Sequence, residues 1–278
     1  MDDAGEPYDE SRIEVLADAD RPGGFVLLLD RVRQSYVDLD DPTYLDFEYM
    51  RWMSHVLDLL PDGALNVTHI GGGAGTMARY VSAVRPGSSQ IILEPDEELT
   101  AVVRTKLPFP RAGRPRIRPV DGRTGLAALG DESADVIILD AFAGARVPAD
   151  LTTVECATQF ARVLRTGGIL VGNVGDGSGL AYTRRMVAAM ATSLPHTALL
   201  TDKTVLSGRR FGNVVVAASA ADMAVDDLKR ALAREPFPVQ CLAGDELTRW
   251  RGDARPFTDD TGRRSPAPPN ESWRVAAE

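Results

Sequence analysis

Positive charge is what this chain is short of. Its 278 residues carry 31 Lys and Arg against 40 Asp and Glu, a net charge of −9, and this balance argues against the basic surface that nucleic acid requires. No nucleic-acid partner is expected. Arg111, Arg114, Arg116 and Arg118 form one local basic cluster, read as solvated charge on a sheet rim. Cysteine is nearly missing. Cys156 and Cys241 stand far apart with no Cys-x-x-Cys or His-rich surroundings, so neither a disulfide framework nor a zinc site is indicated, no metal is expected, and a reducing cytoplasm fits. No apolar run approaches membrane-spanning length, and the opening Met-Asp-Asp-Ala-Gly-Glu-Pro lacks the apolar core of a secretory signal. No membrane partner is expected. Gly-x-Ser-x-Gly is absent as well, so His55, His69 and His196 have no nucleophile to serve in a recognisable elbow and read as structural.

What is present is an ordinary globular composition, 44% hydrophobic and 26% charged, enough for one large core with appendages. Its organising stretch is Asn66-Val-Thr-His-Ile-Gly71-Gly72-Gly73-Ala74-Gly75-Thr76. An apolar strand ends in a loop with glycine at 71, 73 and 75, and a helical pattern opens at once with Met77, Ala78, Tyr80 and Val81. Glycine lets the backbone turn sharply and lie flat against a ligand. The spacing departs from the dinucleotide fingerprint, whose last glycine would fall at Thr76, so a nicotinamide cofactor is not indicated. A second strand, Gln90-Ile-Ile-Leu93, ends in Glu94, about where a carboxylate grips a ribose diol in such folds.

Around this centre the chain divides into an acidic, disordered tail over 1–12, a β-hairpin and helix region over 13–61, a nucleoside-binding domain over 62–221, and a helix with an extended tail over 222–278. The first region reads as short β-prone runs around Arg21-Pro-Gly-Gly24, followed by helical spacing from Leu45 to Leu60. The second alternates strand and helix. Strands are expected at 65–70, 89–94, 115–120, 134–140, 168–174, 197–202 and 212–219, with helices at 76–85, 96–106, 122–129, 150–165 and 178–193. This predicts an α/β fold, a doubly wound seven-stranded, mostly parallel sheet with helices on both faces. The last two strands have no helix between them, so the final one is expected to be antiparallel. A helix is expected over 224–234, and the Pro- and Arg-rich stretch after Arg255 is expected to dangle.

In an open parallel sheet, ligands sit at the carboxyl ends of the strands. Those ends supply Glu94, then Asp121-Gly122, then Asp140, then Asn173 ahead of Gly175-Asp176-Gly177. Asp140 follows Val136-Ile-Ile-Leu139 and serves either the site or as a cap for the loop beyond. Asp121 can cap a helix and bind a base edge at once. Ser178 looks like a helix N-cap. Tyr44, Phe47, Tyr49 and Trp52 could line a substrate, although aromatic residues at this spacing more often pack.

In order and spacing, Gln34, Tyr49, Ile70-Gly-Gly-Gly-Ala-Gly75, Leu93-Glu94-Pro-Asp96, Val120-Asp121-Gly122, Val136-Ile-Ile-Leu-Asp140 and Arg165-Thr-Gly-Gly-Ile-Leu170 resemble the spermidine synthase family within the class I methyltransferase fold. The resemblance spans roughly residues 24–220. It implies an S-adenosyl sulfonium donor across Gly71, Gly73 and Gly75, with Glu94 on the ribose, Asp121 and Gly122 at the adenine, Gln34 and Tyr49 closing the pocket, and Asp140 holding and deprotonating the attacking amine. It also implies a homodimer. Three positions depart from the pattern, two of them by loss of an acid. Ala74 stands where the family usually has an aspartate for the donor's amino group, and Ala143 where it has a second acid after the catalytic one; Asn173 replaces a common glutamine. Burying a dication without carboxylate partners is costly. The expected activity is therefore methyl transfer from S-adenosylmethionine to a small-molecule nucleophilic acceptor, with Asp140 as base, Tyr49 beside it and Asp176 as a weaker second candidate. The alternatives are aminopropyl transfer from decarboxylated S-adenosylmethionine to a polyamine, and a donor-binding module without turnover.

Overall fold

The computed structural model describes residues 12–111 and 113–269. The tail expected over 1–12 therefore lies outside the described residues except for Arg12, as does the end of the chain beyond 269.

Three short β-prone runs open the fold. They form an antiparallel sheet of β1 (Ile13–Ala17), β2 (Gly24–Leu29) and β3 (Val32–Asp38). Asp38 closes its base, taking Arg21 as a salt-bridge partner and the N–H groups of Asp40 and Asp41, both at 2.8 Å. Helix α1 (Glu48–Leu57) follows, burying Tyr49, Trp52, Met53 and Val56 along one stripe.

The alternating segment then builds the main sheet. Its elements are β4 (Asn66–Ile70), α2 (Thr76–Val84), β5 (Ser89–Leu93), α3 (Glu97–Lys106), β6 (Arg116–Arg118), α4 (Gly122–Ala127), β7 (Ala134–Leu139), α5 (Val154–Val163), β8 (Leu164–Asp176), α6 (Ala181–Met190), β9 (His196–Asp202), α7 (Lys203–Leu206) and β10 (Gly212–Ser219). After α8 (Val225–Leu232), β11 (Val239–Ala243) and α9 (Gly244–Arg251) complete the ordered elements. The sheet has eight strands in the order β11-β9-β10-β8-β7-β4-β5-β6. Pairs from β6 to β8 are parallel, while β10 runs antiparallel to both β8 and β9. β10 is antiparallel as expected, although the four-residue helix α7 stands between β9 and β10, where the sequence showed none.

Two features correct the sequence reading. The sheet gains an eighth strand, because β11 adds to the β9 edge; with five residues and only Leu242 fully buried, it has too weak an apolar pattern to announce itself. The stretch expected to dangle after Arg255 is packed as far as it is described, through residue 269. Phe257 is 1% exposed, packs on Tyr182 with ring centroids 5.1 Å apart and lies under the Arg185 guanidinium. Asp259 binds Arg123 at 2.9 Å and the Thr153 hydroxyl at 2.7 Å. Burial of one aromatic ring and this polar anchoring outweigh the extended tendency of a proline-rich run.

The sheet separates two apolar layers. One packs Leu126, Phe160, Met186 and Phe257 against one face, and the other packs Met53, Val56, Val81 and Leu228 against the opposite face. A third cluster joins the small sheet to α3 through Ile13, Leu27, Leu99 and Val103. That junction sets the β2–β3 hairpin over the carboxyl ends of β4 and β5.

Candidate active site

Strand ends β4, β5 and β7, capped by the hairpin and by the start of α1, enclose a cavity of about 450 Å³. Its floor is the glycine loop. Gly71 has φ +96°, and a Cβ there would meet the Asp140 carbonyl oxygen at 2.3 Å, so this glycine is what lets the ends of β4 and β7 close together. Gly75 has φ +73°, and its missing Cβ leaves room for the Phe109 ring. Beneath the loop the buried Arg79 donates to the carbonyls of Ala74, Leu107 and Pro108, tying the loop to the end of α3. Burial pushes this guanidinium down to about 10.

Glu94, at the end of β5, is oriented by two backbone donors, Gly72 N–H at 2.8 Å and Asp96 N–H at 2.9 Å. Its carboxylate is thus fixed in the cavity with lone pairs left for a diol. Asp121 caps α4 through Thr124 N–H at 2.8 Å, which holds its carboxyl below the usual range, and it also lines the cavity. Gly122 packs so closely on Ile70 that a Cβ would lie 2.3 Å from it. Gln34 lines the opposite wall from β3.

Asp140 lies at the other end of the cavity. Its N–H donates to Ile70 at 2.9 Å, and its two oxygens accept from different side chains, Tyr49 Oη and Asn173 Nδ2, each at 3.0 Å. Burial pushes the Asp140 carboxyl up to about 6, against those two hydrogen bonds, which favour the ionised form. Its only open side faces the cavity. Burial likewise pushes the Tyr49 phenol well above its ordinary value, with the facing carboxylate adding to the effect, so Tyr49 stays a donor. Asn173 must turn its amide nitrogen towards the carboxylate, which leaves its Oδ1 buried without a partner among the described residues.

Two other expectations fail on geometry. Asp176 does not reach the cavity; it is 2% exposed and accepts from Thr183 N–H and Oγ1 at 2.8 and 2.7 Å and from Gly177 N–H at 2.8 Å. It anchors the start of α6, which is the capping work expected of Ser178, and Ser178 makes no cap bond. Each histidine, expected to be structural, meets a protein partner: His69 is buried against Gln90 at 2.8 Å, pushed down to about 4 by burial, and also lines the cavity, His55 contacts Glu235 at 2.7 Å, and His196 faces Asp222. Of the aromatic set, Phe47 and Tyr49 line the cavity, whereas Trp52 is core.

Ser35 and Phe211 line the cavity beyond the residues expected. Ser35 Oγ accepts the Ala74 N–H at 3.1 Å; its neighbour Gln34 was the only signal. Phe211 fills the space over Gly175 and Gly177, where a Cβ would lie 2.9 and 3.2 Å from its ring. Ala74 is 0% exposed within the apolar cluster of Leu99, Val103 and Leu107. A carboxylate in that place would be desolvated, so the alanine suits its surroundings.

No protein-family model matches the chain. It is 34% identical to a structure described as a probable spermidine synthase from Corynebacterium glutamicum, which superposes with a TM-score of 0.83 over 89% of this chain and 92% of that one. A polyamine aminopropyltransferase of Chromobacterium violaceum is 30% identical over 141 residues, 50% of this chain and 53% of its own length. The chain thus spans about half the length of the curated relatives it matches. Human methyltransferase-like protein 13 in complex with SAH shares the fold at 18% identity, with a TM-score of 0.56 over 77% of this chain and 96% of that one. Identity of that first kind, sustained along nearly the whole of both chains, makes this protein a member of the spermidine synthase-like family, built on the class I methyltransferase fold.

Proposed function

We propose that the protein transfers an aminopropyl group from decarboxylated S-adenosylmethionine to the nitrogen of a small amine. The observation that carries this reading is Asp140, held between Tyr49 and Asn173 and facing the cavity shared with Glu94. Glu94 would hold the donor's ribose and Asp121 its adenine edge, which leaves the sulfonium side chain directed towards Asp140. The amine lone pair attacks the carbon next to sulfur, the carbon–sulfur bond breaks, and its electron pair returns to sulfur as neutral methylthioadenosine. The proton shed by the nitrogen passes to Asp140. A carboxyl near 6 suits that exchange near neutral pH, and the fixed geometry supplies the in-line approach. The names of the relatives favour this over the methyl transfer expected from the sequence.

Methyl transfer from S-adenosylmethionine stands as a second reading because that donor's ammonium carries its own carboxylate beside it, whereas the lone ammonium of the decarboxylated donor would need a carboxylate that Ala74 does not provide. Incubation with each donor and a panel of amines separates them. Methylthioadenosine release supports aminopropyl transfer, and S-adenosylhomocysteine release supports methyl transfer. Donor binding that survives Asp140→Ala with no turnover by the parent protein would point to a module without catalysis. A homodimer in a cytoplasmic setting belongs to the same proposal, and sedimentation checks the dimer.

A further inference from the structure

Two residues before Gly71, β4 carries a histidine among apolar neighbours. His69 pairs with Ile138 of β7, and Ile138 packs in the apolar layer that holds Tyr49, Met50 and Met77. Asp140 follows Leu139, which pairs with Ile70, and its carboxylate meets Tyr49 of that same layer. Strand side chains alternate between faces, so His69 and Asp140 project from one face, their Cα atoms roughly 8 Å apart. Both line the cavity, where Met50, Met77 and Ile138 add an apolar wall.

The hydrogen bonds fix which ring nitrogen is open. Gln90 Nε2 donates to the Ala78 carbonyl at 2.9 Å and to Ser82 Oγ at 2.8 Å. A carbonyl can only accept, so the Gln90 amide oxygen is the atom that faces His69 Nε2 at 2.8 Å, and Nε2 carries the proton. Burial pushes the ring down to about 4, so it stays neutral and Nδ1 keeps its lone pair. Nδ1 has no hydrogen-bond partner among the described residues and, unlike Asn173 Oδ1, it is not fully enclosed.

Resting on the transfer reading, we infer that His69 is a specificity-determining residue for the donor, its Nδ1 accepting an N–H of the ammonium that ends the aminopropyl group. That group is three carbons long, so its nitrogen stays within a side-chain length of the carbon attacked by the amine at Asp140. Its methylenes suit the wall of Met50, Met77 and Ile138. An ammonium buried without an acceptor is costly, and Ala74 supplies none from its side chain. A neutral imidazole accepts the N–H without burying a second charge.

Methylthioadenosine, which lacks the aminopropyl group, is the control ligand. Each variant is titrated calorimetrically with decarboxylated S-adenosylmethionine and with methylthioadenosine. In His69→Gln the longer amide can keep the Gln90 contact but leaves no acceptor at the place of Nδ1. In His69→Asn the amide oxygen takes that place. His69→Gln is expected to weaken the decarboxylated donor about ten- to hundredfold and to leave methylthioadenosine unchanged, whereas His69→Asn retains most of the donor's affinity. Equal weakening of both ligands by His69→Gln, or weakening of neither, overturns the inference. So does a His69→Asn variant that binds methylthioadenosine normally but the donor no better than His69→Gln does. The transfer reading fails separately: a parent protein that binds the decarboxylated donor but releases no methylthioadenosine from it with any amine overturns that reading and leaves the ammonium contact standing. A parent protein that does not bind the decarboxylated donor overturns both.

Discussion

At the scale of single residues, the site depends on how one carboxylate is kept basic. Asp140 is pushed up to about 6 by burial, and Tyr49 and Asn173 hold it from rising further. The acid limb of the kcat/KM profile is therefore expected near pH 6, and Tyr49→Phe, which removes one stabilising donor, should move it to higher pH. An unmoved limb would show that another group titrates. Asp140→Asn is expected to lower kcat by about 10²- to 10⁴-fold while methylthioadenosine still binds in calorimetry. The same residue affects stability in the opposite sense. Between the ordinary carboxyl value and about 6, the folded protein keeps a proton that the unfolded chain has released, so this group's contribution to stability falls as pH rises through that window. Asp140→Asn removes the fall, and its Tm relative to the parent should be higher at pH 7 than at pH 4. In the proposed donor pose, Glu94 would hydrogen-bond the ribose diol. Its replacement by alanine is expected to weaken methylthioadenosine binding by about ten- to hundredfold.

At the scale of elements, the C-terminal segment is the part whose role only packing reveals. Val147, in the loop after Asp140, exchanges bonds with Ser265: Val147 N–H donates to Ser265 Oγ at 2.9 Å, and Ser265 N–H to the Val147 carbonyl at 3.2 Å. Phe257 secures the same strap at its other end, its carbonyl accepting Val154 N–H at 2.8 Å. Phe257→Ala should cost about 3–5 kcal/mol in denaturant unfolding. Ser265→Ala, which leaves a buried Val147 N–H unpaired, should cost about 1–3 kcal/mol and reduce turnover more than donor binding. Equal loss of both would mean that the strap serves the fold alone.

At the scale of the whole molecule, the cavity spans the junction between the small sheet and the large one. Ser35 and Gln34 come from β3, the glycine loop from β4, and Tyr49 from α1, which is itself fixed to the far end of α8 by Arg51 and His55 bonding Glu235 at 3.0 and 2.7 Å. A nucleoside bound there stabilises all of these elements at once. Methylthioadenosine at a hundredfold its Kd is expected to add about 2.7 kcal/mol to unfolding and to raise Tm as a single transition. Two separate transitions would show that the small sheet unfolds independently.

The sequence by itself determined the alternation of strand and helix, the glycine loop, the antiparallel β10, and the strand-end acids Glu94, Asp121 and Asp140, because each depends on local periodicity or on a backbone turn that few residues permit. It ranked Asp140 above Asp176 without excluding the second. Only the tertiary structure showed how different their surroundings are. It turned Asp140 towards Tyr49, 91 residues away, and enclosed Asp176 with Thr183. The eighth strand, the C-terminal strap and the orientation of the Asn173 amide were likewise settled by long-range packing, because what a short strand, a proline-rich run or an amide does depends on the partner that folding brings to it.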